Sequence, residues 1–190
     1  MYSPLLHRLR EFSPHIATSA TRRCVQMAPD TLARALPALG NLLYVPMHPH
    51  ASTSWIVPRG LLLEAMQLAP LLQIRWLVAA SVISVDGPRE WIDGIDRDGH
   101  ICARLYLLPD TDYLAWDALL ASSEPVSLPA RRWRRPRPAS AQLVCFRHRR
   151  MAGLEVFGAS SATPASPLSE QLVVRIARTE AFPWPSEINH

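Results

Sequence analysis

The chain has 190 residues, of which 48% are hydrophobic and 19% charged, with 18 prolines and 7 glycines. That apolar share excludes a disordered chain, and the length suits a single domain, residues 1–190, with a core of its own. All 20 basic residues are arginine, against 16 acids and a pI near 9.4; this reflects either coding bias or an anionic partner, since a planar guanidinium can bind two oxygens of one carboxylate or phosphate.

Leu5, Leu6, Leu9 and Phe12 recur at helical spacing, with Ser13-Pro14 as a stop. The ends, residues 1–20 and 182–190, are expected to be loosely ordered. Asp30 is placed to cap a short helix through Leu36, which Pro37 stops. Residues 42–47 and 54–57 read as strands around a Pro-His loop. Pro58 introduces a helix over 59–69, with Leu62, Met66 and Ala69 on its buried face.

Residues 74–85 are rich in β-branched side chains and read as a strand. Asp86-Gly87 suits a tight hairpin turn, and a return strand follows from Arg89 to Ile95. Asp96 and Gly99 suit a type I turn with Gly99 in the left-handed position, before a third strand over 100–108. Strict alternation on that strand puts Ile101, Ala103, Leu105 and Leu107 on one face and His100, Cys102, Arg104 and Tyr106 on the other. Two registers remain open. A three-residue loop sets Asp96 opposite His100; a two-residue loop pairs Asp93 with Arg104 and Trp91 with Tyr106.

Thr111 or Asp110 is placed to cap a helix to Ala121, with Leu114, Ala115, Ala118 and Leu119 as its buried stripe. Residues 122–140 form a basic loop carrying Arg131, Arg132, Arg134 and Arg135 around Trp133. Strands are expected over 143–148 and 154–157 with a turn near Ala152-Gly153, then a last helix over 168–181 ended by Pro183. The fold class is therefore α+β: an antiparallel β meander sheet with helices packed on one face.

Three cysteines without C-x-x-C spacing argue for a reducing compartment. The longest uncharged stretch, residues 35–57, is broken by three prolines and two histidines, which argues against membrane insertion. With no secretory-signal pattern at the start, the reading is cytoplasmic. The chain has neither a glycine-rich phosphate loop nor a G-x-S-x-G elbow.

Ile95-Asp96-Arg97-Asp98-Gly99, then Arg104 in the following strand, then Thr111-Asp112 with Ala115, Trp116 and Leu119, form a strand–turn–strand–helix unit. This unit resembles the repeating half of bacterial haemin-transport and haem-utilisation proteins. Arg104 stands where that family usually has lysine, Trp116 where it often has tyrosine, and Ala103 replaces a histidine. The resemblance covers residues 95–120 well. It implies a haem-binding protein of cytoplasmic haem-iron uptake or utilisation, a carrier or chaperone without catalysis. Its alternatives are a haem-degrading enzyme and a non-haem interaction or nucleic-acid-binding module using the arginine-rich loop. One copy per chain, in a family of paired halves, suggests a homodimer by analogy.

Haem needs an apolar slot, an axial ligand and cations for two propionates. Arg104 is the candidate propionate contact; Tyr106, His100 and His48 are the candidate iron ligands. The four arginines of the loop are candidates for a bound anion. The competing reading is structural: Arg104 pairs with Asp93, Tyr106 packs on Trp91, and Cys102 is a small buried apolar group. Nucleic acid is disfavoured, because the basic cluster is short and no recognition motif accompanies it.

Overall fold

The computed structural model describes residues 20–48, 60–84, 87–121, 126, 137–162 and 164–182. The helix expected over 5–12, the strand over 54–57, Asp86, and Arg131, Arg132, Arg134 and Arg135 lie outside the described residues.

The fold is α+β. Eight strands are described: β1 (Ala20–Gln26), β2 (Asn41–Pro46), β3 (Leu61–Leu63), β4 (Ile74–Ser84), β5 (Gly87–Asp96), β6 (Ile101–Tyr106), β7 (Gln142–Met151) and β8 (Leu154–Ser161). They form one sheet in the order β1-β4-β5-β6-β2-β7-β8-β3. Every neighbouring pair is antiparallel except β3 with β8. The helices are α1 (Pro29–Ala35), α2 (Tyr113–Ala121) and α3 (Pro167–Glu180), with 3₁₀ segments at Leu36–Leu39 and Met66–Gln73.

One sheet face carries α1, α2 and both 3₁₀ segments. Leu42 and Tyr44 of β2, Leu105 of β6 and Phe146 of β7 meet Leu32, Leu36, Leu68, Leu71, Trp116 and Leu119 there. The other face carries α3, whose Val173, Ile176 and Ala177 pack on Leu43, Val45 and Tyr106. β2 thus points alternate residues into two cores, as a central strand covered on both sides must. Ser166 caps α3 by accepting from the Ser169 amide, and Pro167 takes the first turn, where a missing N–H costs nothing.

The meander β4–β5–β6 resolves the two registers in a way that uses both. The Asp96 amide donates to the His100 carbonyl, and Gly99, at φ 82°, donates to Asp96, so the loop is the three-residue one. Ile95 then pairs with Ile101, but Gly94 pairs with Ala103. Cys102 is the extra residue of a β-bulge, and beyond it Asp93 faces Arg104 and Trp91 faces Tyr106. The bulge also corrects the alternation. Cys102 packs into the α1 face, and Ile101 takes its place on the α3 face. One inserted residue reverses the phase of everything before it.

A second bulge lies opposite, where Ile74 pairs with Asp96 but Trp76 with Ile95. Between the two bulges, Ile74 folds over Gly94. A Cβ at Gly94 would lie 2.2 Å from Ile74 Cδ1 and 2.8 Å from its Cγ1. Gly94→Ala is expected to cost about 1–3 kcal/mol, the usual range for overpacking, with part recovered in Gly94→Ala/Ile74→Val. Urea denaturation of the parent, Gly94→Ala, Ile74→Val and the double variant measures this; a Gly94→Ala protein as stable as the parent would show that the site has room.

Three local expectations are corrected. The helix expected over 59–69 is not formed as such: among the described residues, 60–65 run through a turn and β3, and only the 3₁₀ segment from Met66 overlaps it. Gly60, at φ 83°, turns the chain into β3, which pairs in parallel with Glu155, Val156 and Phe157. Leu62 and Met66, assigned to a buried stripe, are 47% and 68% exposed. The cap of α2 is Asp112, whose Oδ1 accepts from the Ala115 amide, while Thr111 is buried between the Leu108 amide and the Asn41 carbonyl. That start rotates the stripe to Trp116, Leu119 and Leu120 and leaves Leu114 out in solvent. Finally, Asp30 does not cap α1; Ala28 holds that position without a side-chain bond, and Pro29 follows at the first turn.

Candidate functional site

The residues on the α3 face of β5 and β6 form a polar cluster under the end of α3. Arg104 Nε donates to Asp93 Oδ1 at 2.6 Å, and Nη2 donates to Oδ2 at 3.3 Å. This is the two-bond geometry that suits guanidinium and carboxylate. Trp91 Nε1 donates to the same Oδ2 at 3.1 Å. The guanidinium carbon stands 5.2 Å from the Trp91 ring centre and 5.7 Å from that of Tyr106, within cation–π range. Arg104 Nη1 donates to the Tyr106 hydroxyl at 3.2 Å and reaches Glu180 Oε2 at 3.5 Å. Trp91 and Tyr106 meet as tilted rings at 6.2 Å.

Charge states follow from these contacts. Burial alone would lower the Arg104 pKa, but Asp93 and Tyr106 reverse that and hold the guanidinium charged. Burial pushes the Tyr106 phenol well above its ordinary value, against the pull of Arg104, so it stays protonated near neutral pH. Burial pushes the Cys102 thiol up to about 12, so it is a thiol rather than a thiolate. Arg104, Tyr106 and Cys102 thus sit as the structural reading of this strand has them: an ion pair, a packed ring and a buried apolar sulfur.

His100 belongs to the turn. Asp96 Oδ1 accepts from the amides of Asp98 and His100, each at 2.8 Å, and Asp96 Oδ2 lies 3.4 Å from His100 Nδ1. Asp96, Asp98 and His100 bring their ligand-type atoms within 4.8 Å of one another. The Asp96 carboxylate is already committed to the two amides, which is the work of a turn-closing aspartate.

His48 lies elsewhere, at the end of β2. Its amide donates to the Arg137 carbonyl at 2.9 Å, and Met47 forms a bridge with Pro138. Both His48 and Arg137 are exposed. The Met47 amide donates to the Cys102 carbonyl, so this end of β2 adjoins the bulge in β6. The other described point of the basic loop is Val126, whose amide donates to the Cys24 carbonyl and whose side chain packs against the cluster of Cys24, Val78 and Ile95. The described parts of residues 122–140 therefore bracket the bulged end of β6. Of the sequence candidates, Arg104 and Tyr106 come together; His48 and His100 do not join them.

Two residues of the cluster escaped the sequence reading. Arg89 shares a strand face with Trp91 and Asp93, so alternation was a usable signal. Glu180 lies 76 positions from Arg104, and no local pattern places it there.

No protein-family model matches the chain, and no curated protein matches its sequence. Among solved structures, holo-PhuS, a heme-binding protein from Pseudomonas aeruginosa, is similar at a TM-score of 0.37 and 16% identity. The match covers 58% of this chain and 38% of that one, so the chain spans well under half the length of PhuS. Among the described residues, no helix is long and apolar enough to cross a membrane.

Proposed function

We propose that this chain is a haem-binding protein of haem-iron utilisation, carrying haem without turning it over. The observation that carries the reading is the meeting of His48 with the return of the basic loop: an exposed imidazole and an exposed guanidinium on bonded neighbouring segments. Imidazole is an iron ligand, and guanidinium complements a propionate. A second support is the unit β5–turn–β6–α2, which is one continuous strand–turn–strand–capped helix in the order that the sequence resemblance implies.

Two of the candidate residues are already committed to the framework of the sheet. Tyr106 is buried and protonated, and Arg104 is taken by Asp93, so both serve as framework in this reading. His48 is the proposed axial ligand and Arg137 the proposed propionate contact, with Arg131, Arg132, Arg134 and Arg135 as further cations from the same loop. Bound haem would supply iron as cargo; the chain's own part is to hold it and to neutralise its acids.

Haemin titration tests this. A Soret shift saturating near one equivalent is expected. His48→Ala should weaken binding by about tenfold or more, with an unchanged urea denaturation curve. No saturable shift in the parent protein would sink the reading. Loss of the Soret band with a reductant, in the presence of catalase, would replace the carrier with a haem-degrading enzyme.

A further inference from the structure

We infer that Arg89 and Arg104 form a binding site for a small carboxylate, which Glu180 fills from within the chain. Each oxygen of the Glu180 carboxylate faces a different guanidinium. Oε2 lies 3.5 Å from Arg104 Nη1, and Oε1 lies 3.9 Å from Arg89 Nη1. Close charge-assisted bonds run to about 2.7–2.9 Å, so both contacts are long.

The arginines are the buried partners. The Arg89 side chain is 9% exposed and that of Arg104 17%, against 36% for Glu180. Arg104 has Asp93 as a close counter-ion, which leaves Nη1 as its outward edge beside the Tyr106 hydroxyl. Arg89 has none within bonding distance among the described residues. Its Nη2 reaches the Thr179 hydroxyl at 3.5 Å, and Glu180 is its carboxylate partner. A cation so far removed from water gains from a closer anion.

The reason Glu180 stops short is the end of its helix. It is the last residue of α3. Ala181 then turns left-handed at φ 55°, with its amide on the Ala177 carbonyl, and Phe182 is buried. This cap anchors the backbone and with it the reach of the Glu180 side chain. A free carboxylate has no such tether and can take both guanidinium edges at bonding distance once Glu180 swings out to solvent. The site offers two cationic edges and the Tyr106 hydroxyl; the Thr179 hydroxyl already donates to the Arg175 carbonyl at 2.9 Å. The site suits a compact monocarboxylate.

The inference stands apart from the haem reading. That one fails on the Soret titration; this one fails on a different ligand and different variants. Sodium propionate is titrated at constant ionic strength into the parent protein, Glu180→Gln, and Arg89→Gln/Glu180→Gln. Binding is followed by the Trp91 indole N–H resonance, whose ring lies under Arg104. Glu180→Gln should bind saturably and at least about tenfold more tightly than the parent, because its internal competitor is gone. Adding Arg89→Gln should remove that gain. An independent readout needs only the single variant. Propionate should raise the Tm of Glu180→Gln, and the uncharged propionamide at equal concentration should not. A Glu180→Gln protein with no saturable shift, or one stabilised equally by propionamide, overturns the site. So does a double variant that is folded and keeps the gain.

Discussion

Replacing Asp93 with alanine is expected to cost about 3–5 kcal/mol, the usual penalty for stranding one partner of a buried ion pair. Asp93 is 9% exposed and gives both its oxygens to Arg104 while accepting from the Trp91 indole. Without it, Arg104 keeps its charge between two aromatic rings, with the Tyr106 hydroxyl and the distant Glu180 as its remaining partners among the described residues. Removing both charges should be much milder. Asp93→Leu/Arg104→Met exchanges the pair for apolar groups of similar size and deletes the stranded cation along with its partner. Urea denaturation of Asp93→Leu, Arg104→Met and their double variant gives the coupling energy. A loss below about 1 kcal/mol for Asp93→Ala would mean that water reaches the guanidinium, as at a surface pair.

Phe157→Ala is expected to be as damaging, at about 3–5 kcal/mol for an aromatic ring removed from a closed core. Phe157 is fully buried. Its ring stacks on Phe146 at 5.6 Å, and Phe146 meets Tyr44 edge-on at 5.7 Å. These three rings join β8, β7 and β2 on the α1 face. Phe157 also pairs with Leu63, and its carbonyl accepts from the Glu64 amide, so it holds the short β3 in place. Its loss should raise amide exchange in β3 before it does so in β5 or β6, which lie on the far side of β2. Uniform loosening across the sheet would show that β3 is not held through Phe157.

The candidate cluster was half legible in the sequence. Cross-strand chemistry argued for Asp93 opposite Arg104 and Trp91 opposite Tyr106, and the structure has both pairs. The turn chemistry argued for Asp96 opposite His100, and the structure has that too. A two-stranded ladder without a bulge cannot satisfy both. The bulge at Cys102 is what reconciles them, and its energy lies in the packing of Ile101 and Cys102 on opposite faces. Neither residue announces that by type. In the same way, the Leu-rich residues 61–63 carry the composition of a helix or a strand equally well. The partner strand β8, more than ninety positions later, decides for a strand.

What the sequence determines by itself is local. The Asp96 and Gly99 turn, the Ala152-Gly153 hairpin with both φ positive, and the Ser166-Pro167 start of α3 each depend on two to four neighbouring residues. The α+β class follows from the strand and helix periods in the same way. The tertiary structure alone decided that α3 covers the face opposite α1, that β3 runs parallel to β8, and that His48 stands beside Arg137. It also brought Glu180 to rest between Arg89 and Arg104. These depend on which apolar faces find each other across long stretches of chain. That choice is set by the packing of the whole sheet, not by any segment's own preference.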